Sequence, residues 1–163
     1  MTSSEHVNKI LSEHGAVRQI VGSVGHYFND LDAFFRLQTE RFDLSQTSLE
    51  ALEEKKGQLA ETIETLWRDL KKHFAYEEEH LAGVLGETLT AALKMEHEEI
   101  GAEIEKVKAA LLNVSLEGLD QTEVLGRKNA LQNAVGRLSG MIEEHARDEE
   151  VLVKMVKKVT GHK

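Results

Sequence analysis

The stretch Leu59–Glu77 reads LAETIETLWRDLKKHFAYE, and its apolar residues recur at steps of three and four. This is the period of an α-helix with one apolar face. Two residues that continue the same face, His73 and Glu77, are polar. The stretch therefore predicts a long amphipathic helix whose buried face carries a histidine and a carboxylate.

Three further segments show the same apolar period, one before this stretch and two after it. Their apolar seams run from Val7 to Phe35, from Leu89 to Leu111 and from Val124 to Val156. The seam of the quoted helix itself runs from Leu49 to Val84. Proline is absent, which agrees with long uninterrupted helices because proline breaks helix interiors. No segment shows the alternating pattern of a strand, so four helices are predicted.

Turn chemistry separates the four segments. The breaks lie at residues 42–45, 86–88 and 113–122, and Gly86 in the second break is suited to end a helix. Short connections favour antiparallel packing of neighbouring helices. The sequence therefore predicts an all-α fold, an antiparallel up-down-up-down four-helix bundle formed by a single domain over residues 1–163.

Composition excludes several classes of function. The chain has 163 residues and a formal net charge of −9, which argues against nucleic acid and anionic membranes as partners. Because it has no cysteine, disulfides, zinc–thiolate sites, iron–sulfur clusters and thiol nucleophiles are excluded. Neither a signal peptide nor a membrane span is recognisable in the sequence. We therefore expect a soluble, cytoplasmic protein that binds neither nucleic acid nor membranes, with its oligomeric state left open.

Six polar residues occupy seam positions where leucine is expected. They are His14, His73, Glu77, His97, His145 and Glu149. A buried carboxylate without a partner is costly, so the two glutamates require a cation. A single seam histidine is most often a hydrogen-bonded core residue, and only the joint pattern points to a site.

The spacing predicts that the four histidines lie at one height in the bundle. In an antiparallel hairpin, residues at the same height lie symmetrically about the turn. The midpoint of His14 and His73 falls in the first break. The midpoint of His97 and His145 falls in the third break. The second break lies midway between His97 and the His73–Glu77 pair, so these residues also share one height. Packing alone would not produce this agreement among three turns.

Two histidine–glutamate pairs have the spacing of neighbours on a helix face. Glu77 follows His73 by four residues, and Glu149 follows His145 by four, so each pair can present two ligands to one site. Imidazole and carboxylate suit iron, manganese or zinc, and six ligands are too many for one tetrahedral zinc ion. We therefore expect two metal ions, each with two terminal histidines, bridged by Glu77 and Glu149. Two iron ions are favoured over manganese or zinc.

The same residues make the sequence similar to the hemerythrin-like family, also described as HHE cation-binding domains. The matching elements, which span nearly the whole chain, are Glu13-His14, His73-x-x-x-Glu77, Glu96-His97 and His145-x-x-x-Glu149. The resemblance implies a non-heme di-iron centre in the bundle core with both carboxylates bridging. It also implies a protein that binds, senses or reacts with dioxygen, peroxide or nitric oxide, and it leaves an enzymatic activity on peroxide or nitric oxide open.

Two positions depart from the oxygen-carrying members of that family. Those members resemble this pattern but add a second histidine one turn after the first on the third helix, where this chain has Gly101. The resemblance thus implies an open coordination position near Gly101, and it favours sensing or redox chemistry over reversible oxygen storage. The carboxylate of their fourth helix lies five residues after the histidine, which corresponds to Glu150 here. Helix phase and the internal repeat favour Glu149, and Glu150 stays the alternative.

Other interpretations stay open at this stage. His80 follows Glu77 at the spacing of ferritin-like sites, but Ile142 stands at the matching position of the fourth helix, so the ferritin reading fails. His80 is then either an additional ligand or a polar residue at the open end, and we expect His6, His26 and His162 to be solvated or incidental. The alternative function is a metal-free four-helix signalling or interaction module, such as a histidine phosphotransfer-like domain. In such domains the sequence around the phosphate-accepting histidine resembles His-x-x-Lys-Gly, and no histidine of this chain is followed by that pattern.

Overall fold

The computed structural model describes residues 3–41, 46–115 and 120–160, and in these ranges the chain forms four long α-helices without a strand. The helices are α1 (Ser3–Arg41), α2 (Gln46–His80), α3 (Ala82–Asn113) and α4 (Gln121–Thr160). None of them combines the length and apolar character that crossing a membrane requires. The predicted all-α class is confirmed.

Each helix packs its backbone against two neighbours, in the cyclic order α1, α2, α3, α4. Side-chain pairs fix the helix directions. Asp30 of α1 pairs with Lys55 of α2, whereas Glu13, earlier on α1, contacts His73, later on α2. The same reversal of numbering is seen between the other neighbouring helices. The predicted antiparallel up-down-up-down bundle is confirmed.

The apolar seams form two buried clusters along the bundle. The larger cluster includes Phe35, Leu59, Ile104 and Leu131, all fully buried. The smaller one lies near the α2–α3 turn and contains Val7, Ile10, Leu81, Leu93 and Val153. Burying one such side chain contributes about 1.5–3 kcal/mol, so the two clusters offset the cost of polar residues placed between them.

The connection between α2 and α3 differs in part from the prediction. α2 ends at His80, before the predicted Val84, and only Leu81 separates it from α3. Gly86, the predicted break, has a φ of 82° and interrupts α3 after its first turn, a conformation that glycine adopts without steric cost. The chain changes direction at Leu81 and again at Gly86. Val84 and Leu89 therefore lie outside the apolar seams, with 41% and 40% of their surface exposed.

The connection between α3 and α4 agrees with the prediction. α3 ends at Asn113, and α4 begins at Gln121. The backbone N–H of Glu123 donates to Oδ1 of Asp120 at 2.8 Å, which caps the first turn of α4. The first predicted break, residues 42–45, and Gly118 of the third break lie outside the described residues.

Candidate metal centre

A layer of six polar side chains crosses the bundle between the two apolar clusters. One histidine comes from each helix, and one glutamate comes from each of α2 and α4. All six residues that the sequence singles out are present, each at most 6% exposed: His14, His73, Glu77, His97, His145 and Glu149. The ring centroids are 4.9 Å apart for His14 and His73, and 4.8 Å apart for His97 and His145. The four histidines therefore lie at one height, as their spacing predicts.

The donor atoms of this layer form two groups that share both glutamates. His14 and His73 belong to the first group, and His97 and His145 belong to the second. In each group, the nitrogen and oxygen atoms lie within 4.8 Å of one another. We call the histidines of the two groups the His14–His73 pair and the His97–His145 pair. Two histidine pairs thus face each other across two shared carboxylates.

Each shared glutamate turns one oxygen toward each pair. Oε1 of Glu77 lies 3.7 Å from Nε2 of His14, and its Oε2 lies 3.2 Å from Nε2 of His97. Oε1 of Glu149 lies 2.9 Å from Nε2 of His14, and its Oε2 lies 3.2 Å from Nε2 of His145. A carboxylate with one oxygen near each histidine pair can contact two separate cations.

Several buried atoms of the layer make no hydrogen bond within the described part of the chain. They are Nε2 of His73, Oε1 of Glu77, Nε2 of His145 and Oε2 of Glu149. Buried polar atoms in proteins are normally satisfied, and leaving one unsatisfied costs about 1–3 kcal/mol. These atoms are also the ones that face the shared space, and imidazole and carboxylate are ligands for transition metals. The residues present therefore fit a metal centre.

Two outer glutamates contact the far nitrogens of two of the histidines. Oε2 of Glu13 lies 2.5 Å from Nδ1 of His73, and Oε2 of Glu96 lies 2.5 Å from Nδ1 of His145. A hydrogen bond from Nδ1–H to a carboxylate fixes the ring and leaves the Nε2 lone pair directed at the centre. Sequence reasoning assigned no role to these glutamates. The repeated Glu-His dipeptide on α1 and α3 is the signal that would have found them.

The residues after the two shared glutamates face the other two histidines. Oε1 of Glu150 lies 3.1 Å from Nδ1 of His14, whereas Oε1 of Glu78 lies 3.6 Å from Nδ1 of His97, beyond hydrogen-bond range. The structure thus places Glu149 in the shared core position, and Glu150 lies outside it, behind His14.

Burial and neighbouring charges perturb the pKa values of the layer. Burial lowers the pKa of His14, but its hydrogen bond with Glu149 and the nearby carboxyl of Glu77 outweigh burial and raise the pKa to about 9. Burial raises the pKa of the Glu77 carboxyl well above its usual range, although the contact with His14 opposes this. Burial, reinforced by the nearby His145, lowers the pKa of His97 to about 3. Without a cation, His14 and Glu77 therefore hold protons at neutral pH.

The affinity of this centre for a transition metal is therefore expected to rise with pH between about pH 6 and 9. Below its raised pKa, His14 is protonated and must lose that proton to the metal, so each displaced proton adds up to about a tenfold gain in affinity per pH unit. Chelator competition with Co(II) across this range measures the slope, with His26→Gln as a control. A flat profile in the parent protein would contradict the prediction.

An aromatic ring fills the space beside Gly101. A Cβ atom placed on Gly101 would meet Cη2 of Trp67 at 2.9 Å and Cζ2 at 3.3 Å. Trp67 comes from α2 and packs against the larger apolar cluster. The space that a side chain on Gly101 would occupy is thus taken by Trp67, because the missing side chain on α3 lets the indole approach the helix.

Replacing Gly101 with alanine is expected to give none of the usual stabilisation of a glycine-to-alanine change in a helix. Gly136 of α4 is the matched control, since an added Cβ meets nothing within 4 Å, and Gly136→Ala should stabilise by about 0.5–1 kcal/mol. At Gly101 the contact with Trp67 opposes this gain and shifts the fluorescence of the single tryptophan. Urea unfolding of both variants tests this, and an equal stabilisation would refute the close packing.

The remaining histidines lie away from the two groups of donors. His80 is 28% exposed, stacks on the ring of His6 at a centroid distance of 4.1 Å and contacts the ring of Tyr76. The hydroxyl of Tyr76 is hydrogen-bonded to Nδ1 of His6, which is half-buried. His26 lies on α1 beside Tyr27, and His162 is outside the described residues.

Comparison with known proteins agrees with this geometry. The Hemerythrin HHE cation binding domain matches residues 6–156, which is nearly the whole chain. No curated protein and no solved structure gives a significant match. The match contains the four histidines of the layer and both shared glutamates, and it confirms the resemblance seen in the sequence. The chain belongs to the hemerythrin HHE cation-binding domain family.

Proposed function

We propose that this protein is a non-heme di-iron protein that binds, senses or reacts with dioxygen or a related small molecule, such as peroxide or nitric oxide. The observation that carries the proposal is the division of Glu77 and Glu149 between two histidine pairs. One cation would use only half of these donors and leave buried nitrogen and oxygen atoms unsatisfied. Two cations, one at each pair, would satisfy both halves of the layer.

The number of donors favours iron over zinc. Each histidine pair, with one oxygen from each shared glutamate, offers four protein donors. Four donors complete a tetrahedral zinc site, but they leave positions open on an ion that takes up to about six ligands. Binding a small molecule requires such open positions. Iron therefore fits the proposal best, followed by manganese, and bound iron would supply reversible one-electron chemistry.

The protein contributes orientation and exclusion of water. Glu13 and Glu96 hold two imidazoles by their outer nitrogens, so the ligand nitrogens are directed before an ion arrives. The ring of Phe74 stacks on His97 at a centroid distance of 3.8 Å with an interplanar angle of 9°. Apolar clusters above and below the layer keep bulk water away, which strengthens the electrostatic contacts inside.

Two clefts reach the outer edge of the centre and provide a route for a small ligand. One of about 190 Å³ lies between α1 and α2 and ends at Glu13 and His73. The other, of about 130 Å³, lies between α3 and α4 and ends at Glu96 and His145. Carboxylates line both clefts and disfavour anions. The clefts therefore suit metal cations and small uncharged molecules.

Metal analysis after anaerobic loading with Fe(II) tests the proposal. Two iron ions per chain are expected, and exposure to dioxygen, peroxide or nitric oxide should then change the visible absorption spectrum. His26→Ala is a control that should load as the parent does, because His26 lies outside both groups of donors. A parent protein that binds no iron would overturn the proposal, and an iron-loaded protein indifferent to all three molecules would overturn the small-molecule part.

The alternative of a histidine phosphotransfer-like module receives no support from the site. A phosphate acceptor must be exposed, but the four histidines of the layer are at most 6% exposed. Each of them also contacts a carboxylate, which would repel a phosphoryl donor.

A further inference from the structure

The two halves of the metal centre are unequal, although the sequence around them repeats. Glu-His on α1 corresponds to Glu-His on α3, and Glu149-Glu150 on α4 corresponds to Glu77-Glu78 on α2. The correspondence fails one turn after the first histidine of each half. That position is Arg18 on α1 and Gly101 on α3.

On the α1–α4 side, an arginine fixes the carboxylate behind His14. Nη1 of Arg18 donates to Oε1 of Glu150 at 2.7 Å, and the same oxygen lies 3.1 Å from Nδ1 of His14. Nε and Nη2 of Arg18 donate to the two oxygens of Glu143 at 2.9 and 3.1 Å. The imidazole of His14 therefore contacts a carboxylate oxygen that Arg18 also binds, and Arg18 is itself held in place by Glu143.

On the α2–α3 side, this support is missing. Gly101 has no side chain, and the indole of Trp67 occupies the adjacent space. Oε1 of Glu78 stays 3.6 Å from Nδ1 of His97, and that nitrogen, although buried, has no hydrogen-bond partner among the described residues. Stacking on Phe74 restrains the plane of the His97 ring but donates nothing to its outer nitrogen.

Given the proposed function, on which this step rests, we propose that the ion at the His14–His73 pair binds first and more tightly, and that Glu150 is the positioning residue responsible. Both histidines of that pair have a carboxylate at hydrogen-bond distance from Nδ1, whereas only His145 of the other pair has one. A hydrogen bond of this kind orients the ring and makes the imidazole a better donor. Losing it typically lowers metal affinity about 10- to 100-fold.

The test compares variants that each retain one complete pair, using Co(II) and a competing chelator. His97→Ala retains the His14–His73 pair and should bind one ion at least about tenfold more tightly than His14→Ala does. The titrations are made at several pH values up to about pH 9.5, because a proton on His14, whose pKa is raised to about 9, competes with the ion at lower pH. Equal affinities, or tighter binding in His14→Ala, would overturn the inference. A parent protein that binds no Co(II) and no Fe(II) would instead overturn the proposed function.

A second pair of variants removes the negative charge behind each of the two histidines and avoids fully buried substitutions. Glu150→Gln and Glu78→Gln each remove one carboxylate from corresponding positions, so the change in charge is the same. Glu150→Gln should weaken the first Co(II) ion about 10- to 100-fold and alter its visible absorption spectrum, whereas Glu78→Gln should change neither affinity more than about threefold. Unfolding of the metal-free variants checks the fold. Equal effects of the two variants on the first ion would remove Glu150 from this role.

Discussion

Loading the metal-free protein with Fe(II) in the absence of oxygen is expected to raise the midpoint of thermal unfolding by about 10 °C. A cation that binds only the folded chain at a thousand times its dissociation constant stabilises it by about 4 kcal/mol. In a domain of this size, each kcal/mol shifts the midpoint by about 2–4 °C. The physical source of the effect is the layer itself, whose buried Nε2 and carboxylate oxygen atoms lack hydrogen-bond partners without an ion.

Magnesium is the matched control ion for this measurement. It prefers oxygen ligands and retains much of its water, so four imidazoles give it little reason to enter the layer. Calorimetric or circular dichroism melts with Fe(II), Mn(II) and Mg(II) at equal concentration separate the centre from the acidic surface. Equal shifts for Mg(II) and Fe(II) would show that the surface carboxylates, rather than the histidine layer, bind the ions. The absence of any shift with Fe(II) would contradict the metal centre.

The height and phase of the six inner residues could be predicted from the sequence because both follow from regular geometry. Helical periodicity determines which face a residue occupies, and antiparallel hairpins determine its height. His14 and His73 are far apart in sequence, yet their midpoint falls in a turn and their rings lie 4.9 Å apart. Core packing alone would favour leucine at these six positions, so polar residues there indicate a functional site.

The features that sequence reasoning missed depend on side-chain reach rather than on periodicity. Gly101 indicated an open coordination position, but nothing in the sequence indicates that the long indole of Trp67 reaches from α2 into the space beside this glycine. Glu150 had the spacing of an alternative ligand, and only the position of Arg18 on another helix shows why its carboxylate stays behind His14. The end of α2 was also misplaced, since residues 81–85 continue the helical period but form the bend at Leu81 and the first turn of α3. In each case a contact between helices decides the outcome.

Replacing Glu77 with glutamine is expected to stabilise the metal-free protein by about 1–4 kcal/mol while abolishing its stabilisation by Fe(II). Glu77 is fully buried, and burial raises the pKa of its carboxyl, so folding requires it to take up a proton. A carboxyl whose pKa is raised on folding loses stability as the pH rises above about 5, and glutamine removes this loss. The difference in unfolding free energy between Glu77→Gln and the parent protein should therefore increase with pH. Urea unfolding measures it, with half-buried Glu78→Gln as the control for loss of one negative charge.

The same substitution at Glu149 is expected to have the opposite sign in the metal-free protein. Burial alone would raise the pKa of Glu149, but a hydrogen bond from His14 and the close contact with His145 hold it well below its usual range, so this carboxylate is ionised. Glu149→Gln therefore removes the counter-ion of a buried, protonated His14, and breaking a buried pair costs about 3–5 kcal/mol. Both variants lose one of the two shared carboxylates and should lose two-ion binding. If Glu77 and Glu149 served only to stabilise the bundle, both substitutions would destabilise it. Opposite signs without metal, together with a common loss of metal binding, are expected only if the pair is retained for the ions it holds.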